Sequence, residues 1–134
     1  MNPSKKIYFD HEKLEVYQKA IAFVAWLQPI LETVPKAADV KDHLDRASTS
    51  IPLNIAEGNG KFSHKARCRF FDIATGSAFE CASGLDVLVA KGKLDSTVAN
   101  QGKERLCPIV QMLVKLIQRV GERDYGKEQH EKME

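Results

Sequence analysis

The spacing of the apolar residues is the feature of this chain that most narrows its fold. In four segments these residues recur every three or four positions, which is the period of a helix that buries one side. Nowhere do valine, isoleucine and threonine alternate with polar residues over the length of a strand. The chain has 134 residues, of which 43% are hydrophobic, as is ordinary for one soluble domain. The spacing therefore predicts an all-α chain with a single core.

Turn and cap residues divide the chain into predicted helices at residues 11–33, 39–57, 64–91 and 96–120, with flexible tails at residues 1–9 and 121–134. Because the loops between these helices are short, sequential neighbours are predicted to pack antiparallel. The expected architecture is an up-down-up-down four-helix bundle that forms one domain over residues 1–134. The first and fourth helices each carry a second apolar row, and a small monomeric bundle does not need a face that wide. These rows favour association with further copies of the chain.

Polar residues also follow the helical period in the second and third predicted helices. Ser77 belongs to a row of small residues that ends at Gly84, so another helix can approach it closely. We interpret these polar residues as a structural seam that sets the register of the two helices, and we expect its two glutamates to be buried and hydrogen-bonded. The polar seam comprises Arg46, Ser50, Asn54, Glu57, Ser77 and Glu80.

The chain shows no motif for catalysis or for a bound metal. The Glu-x-x-His pairs that hold two metals in some helical bundles do not occur, and the three cysteines have no C-x-x-C spacing. Ser50, Ser77 and Cys81 lie in mid-helix, where no tight turn exposes a nucleophile. The sequence therefore predicts a protein that is not an enzyme and that uses no cofactor, metal or small-molecule substrate.

One stretch is more basic than the rest, although the formal net charge of the chain is only +2. We call residues 59–71 the basic turn, because they contain no acid and interleave basic residues with three phenylalanines. Such a mixture can bind a phosphate backbone and stack bases. The alternative is a solvated basic face whose aromatic rings point into the core. The candidate nucleic-acid-binding residues are Lys61, His64, Lys65, Arg67 and Arg69.

Neither a secretory signal nor a membrane span is evident. The longest apolar run, from Ile21 to Leu27, is far shorter than the roughly 20 residues that cross a bilayer. We expect a cytoplasmic protein that does not engage a membrane.

Three sequence blocks carry a resemblance to a known family: D-H-E-K-L-E-V-Y-Q-K-A, R-A-S-T-S-I-P-L-N-I-A-E-G and I-A-T-G-S-A-F-E, which start at Asp10, Arg46 and Ile73. With them the chain resembles the four-helix-bundle proteins encoded in intervening sequences of bacterial 23S ribosomal RNA genes. The resemblance implies an antiparallel bundle that assembles into a closed homo-oligomer, a pentamer. It implies no catalytic residue.

Two functions stay open at this point. In the first, the protein is a non-catalytic oligomeric scaffold that engages RNA or a ribonucleoprotein through the basic turn. In the second, it is a protein-interaction adaptor that binds no nucleic acid.

Overall fold

The structure is a computed structural model that describes residues 6–35 and 39–133, with side chains as far as residue 121. A short 3-10 helix at Asp10–Lys13 precedes four α-helices, and the described residues contain no strand. The all-α prediction is therefore confirmed. The helices are α1 at Glu15–Thr33, α2 at Asp39–Asn59, α3 at His64–Ala90 and α4 at Ser96–Met133.

The start of the first helix differs from the prediction. Residues 11–13 belong to the 3-10 helix, and α1 begins only at Glu15 because Leu14 has an extended backbone with ψ at 126°. The Glu12 carboxylate accepts a hydrogen bond from the Phe9 amide at 3.1 Å, which caps the 3-10 helix. This local cap closes a separate turn ahead of the long helix.

The prediction for the C-terminal end is wrong in one respect. We expected helix to end at Val120, but α4 continues to Met133. The segment lacks an apolar period, but no proline interrupts it. At the other end, residues 6–9 are not helical, in line with the prediction, whereas residues 1–5 and Glu134 lie outside the described residues.

The helices contact one another in a cyclic order, in which α1 packs on α2, α2 on α3, α3 on α4 and α4 on α1. Glycines allow the closest approaches. A Cβ added to Gly84 would lie 2.8 Å from Leu44, and one added to Gly58 would lie 2.8 Å from the Phe71 ring. α2 thus packs against the row of small residues on α3, as the spacing of that row predicted.

The core lies between the four helices and is almost wholly aliphatic and aromatic. Complete burial of one such side chain contributes about 1.5–3 kcal/mol, so this core is the main source of stability. The largest fully buried side chains include Phe23, Leu27, Leu44, Ile51, Ile55, Phe71, Leu85, Leu88, Ile109 and Leu113.

By length and composition alone, α3 could cross a membrane. Core helices of soluble bundles meet the same criterion. Residues such as Phe71, Ala78 and Leu85 of α3 are completely buried by its neighbours. Other apolar residues of α3, namely Ile73, Phe79 and Val87, are exposed in the single chain.

Candidate nucleic-acid interface

The basic turn connects α2 to α3 and is held by local hydrogen bonds. The Gly60 amide donates to the carbonyl oxygens of Ala56 and Glu57 at 3.2 Å, which closes the end of α2. Ser63 is the N-cap of α3, and its hydroxyl accepts a hydrogen bond from the Ala66 amide at 3.1 Å. Hydrogen bonds therefore fix the backbone at both ends of the basic turn.

The three phenylalanines of the basic turn have different surroundings. Phe71 is completely buried, and Phe70 is half-buried with the Lys61 ammonium 5.2 Å from its ring centroid. Phe62 is fully exposed. The alternative that the aromatic rings point into the core is therefore correct for Phe71. Phe62 instead exposes an aromatic face on which a base could stack.

The basic side chains also differ in their availability. Lys65 and Arg69 are exposed and lie one helical turn apart on α3, whereas His64 and Arg67 are half-buried. Lys61 lies 3.5 Å from the Glu57 carboxylate of α2, which offsets part of its charge. The freest positive charges of the basic turn are thus those of Lys65 and Arg69.

An open pocket of about 450 Å³ lies against the α2 end of the basic turn. We call it the α2 pocket. Leu53 is 61% exposed there, although leucine is usually buried. Leu53 belongs neither to the buried face of α2 nor to the polar seam. This position in the helical period could have predicted that Leu53 is exposed. The α2 pocket is lined by Leu53, Ala56, Glu57, Gly60 and Lys61.

The structure brings three residues of the predicted polar seam together. The hydroxyl oxygens of Ser50 and Ser77 lie 2.8 Å apart across the α2–α3 contact. The Asn54 side-chain amide donates to the Ser50 hydroxyl at 2.9 Å and to the Ser50 carbonyl at 2.8 Å. These three side chains form a small, satisfied network between the two helices.

The other three seam residues lie on the outside of the chain, so the expected burial of the two glutamates is wrong. Arg46 is exposed, the Glu57 side chain is 59% exposed, and the Glu80 side chain is 55% exposed, with His43 at 3.8 Å. The Glu57 carboxylate instead reaches the Lys61 ammonium of the basic turn. Glu80 follows Ser77 by three residues and so lies about 60° further around α3.

The three cysteines are free thiols. Cys81 is completely buried, and burial together with the nearby Glu80 carboxylate raises the pKa of its thiol to about 12. Such a thiol stays protonated and unreactive at neutral pH. Among the described residues, no group of three or more histidine, cysteine or acidic side chains could hold a metal ion.

The family model for the 23S rRNA-intervening sequence protein matches residues 12–115, which span most of the bundle. The chain belongs to this family. The resemblance read from the sequence motifs is thereby confirmed. A search of curated proteins found no match.

A solved structure has the same fold as this family member. It is the crystal structure of a protein with unknown function from the S23 ribosomal protein family of Bacteroides thetaiotaomicron, with a TM-score of 0.71 and 20% sequence identity. The match covers 76% of this chain and 97% of that chain. At this identity the likeness concerns the fold alone.

Proposed function

We propose that this 23S rRNA-intervening sequence protein is a non-catalytic, homo-oligomeric scaffold that binds RNA or a ribonucleoprotein through its basic turn. The observation that carries the proposal is that the basic turn exposes the Phe62 ring together with the cationic side chains of Lys65 and Arg69. The proposal places the protein in the cytoplasm and assigns it no cofactor, metal, membrane or small-molecule substrate.

Binding of this kind is electrostatic and tolerant of sequence. Lys65 and Arg69 neutralise neighbouring phosphates, and each neutralised phosphate releases a counterion, so affinity falls as salt rises. Phe62 adds stacking, which every base can supply. Lys61 takes a smaller part, because its ammonium already faces Glu57 and Phe70.

The proposal includes an antiparallel up-down-up-down arrangement of the helices. Contacts between successive helices support it, because their residue numbers run in opposite order. Along the α2–α3 contact, Leu44 meets Gly84, Ser50 meets Ser77, and Gly58 meets Phe71. Along the α3–α4 contact, Leu85 meets Gly102, and Cys68 meets Ile117.

Assembly into a homo-oligomer is supported by apolar side chains that the single chain leaves uncovered. Ile21 on α1 is 40% exposed, and Val114 on α4 is 38% exposed. The pentameric order comes from the family resemblance. In a closed ring, every subunit would contribute one basic turn, and the positive electrostatic potentials of these turns would add.

Binding of a fluorescent structured RNA and a fluorescent single strand to the full-length protein tests the proposal across a salt series. We expect sub-micromolar affinity at low salt and a linear fall of log affinity with log salt concentration. Affinity no better than micromolar together with no dependence on salt would sink the proposal.

A protein-interaction adaptor is the second candidate, and the exposed apolar side chains of Leu53 and Ile73 favour it. Capture of bound proteins with and without nuclease separates the two functions. Partners bridged by RNA disappear after digestion, whereas partners of an adaptor remain bound.

A further inference from the structure

Phe62 is the most exposed large apolar residue of the described part of the chain, with a relative exposure of 102%. It precedes Ser63, the N-cap of α3, at a position where an apolar side chain often packs on the fourth residue of the helix. Arg67 occupies that fourth position, so the Phe62 ring has no apolar partner there. Both faces of the ring are therefore open to solvent.

The backbone that carries Phe62 is held on both sides by hydrogen bonds. The Lys61 amide donates to the Gly58 carbonyl oxygen at 3.2 Å, and the Ser63 hydroxyl accepts from the Ala66 amide at 3.1 Å. The side chain of a phenylalanine adds only two torsions of its own. Because so few bonds become restricted when the ring binds a ligand, the cost in conformational entropy is small.

Two cations lie close to Phe62 along the chain. Lys65 follows Phe62 by three residues, which the backbone spans in at most about 11 Å. Lys65 and Arg69 are one helical turn apart on α3, so their Cβ atoms lie about 6 Å from each other. Both side chains are exposed, and neither forms an ion pair with another described residue. One short stretch of a strand can therefore meet both cations with its phosphates and the ring with a base.

The Phe62 ring and the two cations favour different forms of RNA. In a duplex the bases are stacked on one another, so a ring on a protein turn meets a base face only at the two ends. In a single strand the bases can splay out and stack on an aromatic side chain. A double helix carries more charge along its length than one strand does, so cations alone favour the duplex. The stacking contact and the charge contacts thus predict opposite preferences.

We propose that the basic turn binds single-stranded RNA in preference to duplex RNA, because the Phe62 ring stacks on an unpaired base. The inference rests on the proposed function and narrows its RNA to unpaired segments such as loops and ends. Lys65 and Arg69 contact phosphates, which both forms of RNA present. Phe62 adds a contact that an unpaired base supplies, and because every base has a face to stack, the preference is for the unpaired state and not for a sequence.

Fluorescence anisotropy of the full-length protein with a single strand and with the blunt duplex of the same sequence tests the inference. At equal salt we expect the wild type to bind the single strand more tightly. Phe62→Ser should raise the dissociation constant of the single strand about tenfold, as loss of one stacked base does, and that of the duplex by less than about twofold. The salt slope should stay at the wild-type value, because no charge is removed. Circular dichroism confirms that the variant is folded.

Phe79→Ser is the matched control, because it removes another exposed phenylalanine, 57% exposed, from the same helix. Phe79 lies 16 residues after Ser63, or about 24 Å along α3 from the basic turn. This variant should leave the dissociation constants of both RNAs within about twofold of the wild-type values, as for a surface residue outside a contact.

Phe62→Trp gives a direct signal for stacking, because a base stacked on an indole ring quenches its fluorescence. We expect quenching when the single strand is added and none when the duplex is added at equal saturation, with the affinity for the single strand retained. The half-buried Trp26 is the one tryptophan of the natural chain, and the wild-type protein gives its background.

Two results would overturn the preference for unpaired RNA and leave the proposed RNA binding intact. One is a wild-type protein that binds the duplex as tightly as the single strand. The other is a Phe62→Ser variant that keeps its affinity for the single strand, or that loses affinity equally for both RNAs. Absence of binding and of any salt slope with both RNAs would overturn the proposed function as well.

Discussion

The hydroxyl oxygens of Ser50 on α2 and Ser77 on α3 lie 2.8 Å apart. Ser77 is only 8% exposed, and Asn54 donates to the same Ser50 oxygen, so the pair is part of a satisfied network in a closely packed contact. If α2 shifted along α3 by one helical turn, the two hydroxyl groups would be displaced from each other by about 5.4 Å along the helix axis. The hydrogen bond therefore favours one register of the two helices.

Ser77→Ala should lower the free energy of unfolding by about 0.5–1.5 kcal/mol, because it removes one hydrogen bond while Ser50 keeps its bond to Asn54. Urea denaturation measures the change. Ser83→Ala, at an exposed serine of the same helix, is the control and should stay within about 0.5 kcal/mol of wild type. Equal stability of all three proteins would show that the Ser50–Ser77 bond contributes nothing.

Gly84→Ala and Gly76→Ala should have opposite effects on stability. A Cβ at position 84 would lie 2.8 Å from Cγ of the buried Leu44, and such overpacking costs about 1–3 kcal/mol. A Cβ at position 76 meets nothing within 4 Å, so alanine there should stabilise the helix by about 0.5–1 kcal/mol. Thermal unfolding of both variants checks the pair, and stabilisation by Gly84→Ala would refute the close approach of α2 to α3.

Stability should fall in alkaline solution because of Cys81. Its thiol has a pKa of about 12 in the folded chain against 9.0 as the ordinary value, so the folded state holds a proton that the unfolded state releases. The contribution is complete below pH 9.0 and is lost as pH rises through about 12, by at most about 1.4 kcal/mol per pH unit. Denaturation of wild type and Cys81→Ala between pH 8 and pH 11 measures the difference in slope. Parallel pH profiles would mean that Cys81 ionises normally in the folded chain.

Glu57→Ala and Glu80→Ala should each change the free energy of unfolding of the single chain by no more than about 0.5 kcal/mol, because exposed ion pairs contribute little. Their partners, Lys61 and His43, are 41% and 59% exposed and remain hydrated when the glutamate is removed. Chemical denaturation at low protein concentration checks this. A loss above 2 kcal/mol for either variant would indicate burial that the single chain does not show.

The period of the apolar residues was enough to predict the helices. The starts of α2, α3 and α4 at Asp39, His64 and Ser96 agree with the prediction, because acidic residues and Ser63 mark them in the sequence. The break at Leu14 was not predictable in the same way. The extended backbone of Leu14 leaves no such mark in the sequence.

The sequence predicted which residues make up the candidate site but not how their side chains are arranged. Within a helix, the period assigns a residue to a face, which is why the sequence could place Ser50 and Ser77 in one seam between α2 and α3. Phe62 lies in the turn, where no period applies, so its exposure could not be distinguished from the burial of Phe71. Glu80 lies about 60° around α3 from Ser77, and the long side chain of Glu57 reaches Lys61, neither of which a row written at spacings of three and four captures.

The salt dependence of RNA binding tests the central claim most directly. For a single strand, each phosphate contact adds about 0.7 to the slope of log affinity against log salt, so Lys65→Ser combined with Arg69→Ser should reduce the slope by about 1.4 or more. Lys91→Ser combined with Lys93→Ser removes the same charge from the exposed turn between α3 and α4 and should leave the slope unchanged. A wild-type protein with no slope, or two double variants that lose slope equally, would contradict binding through the basic turn.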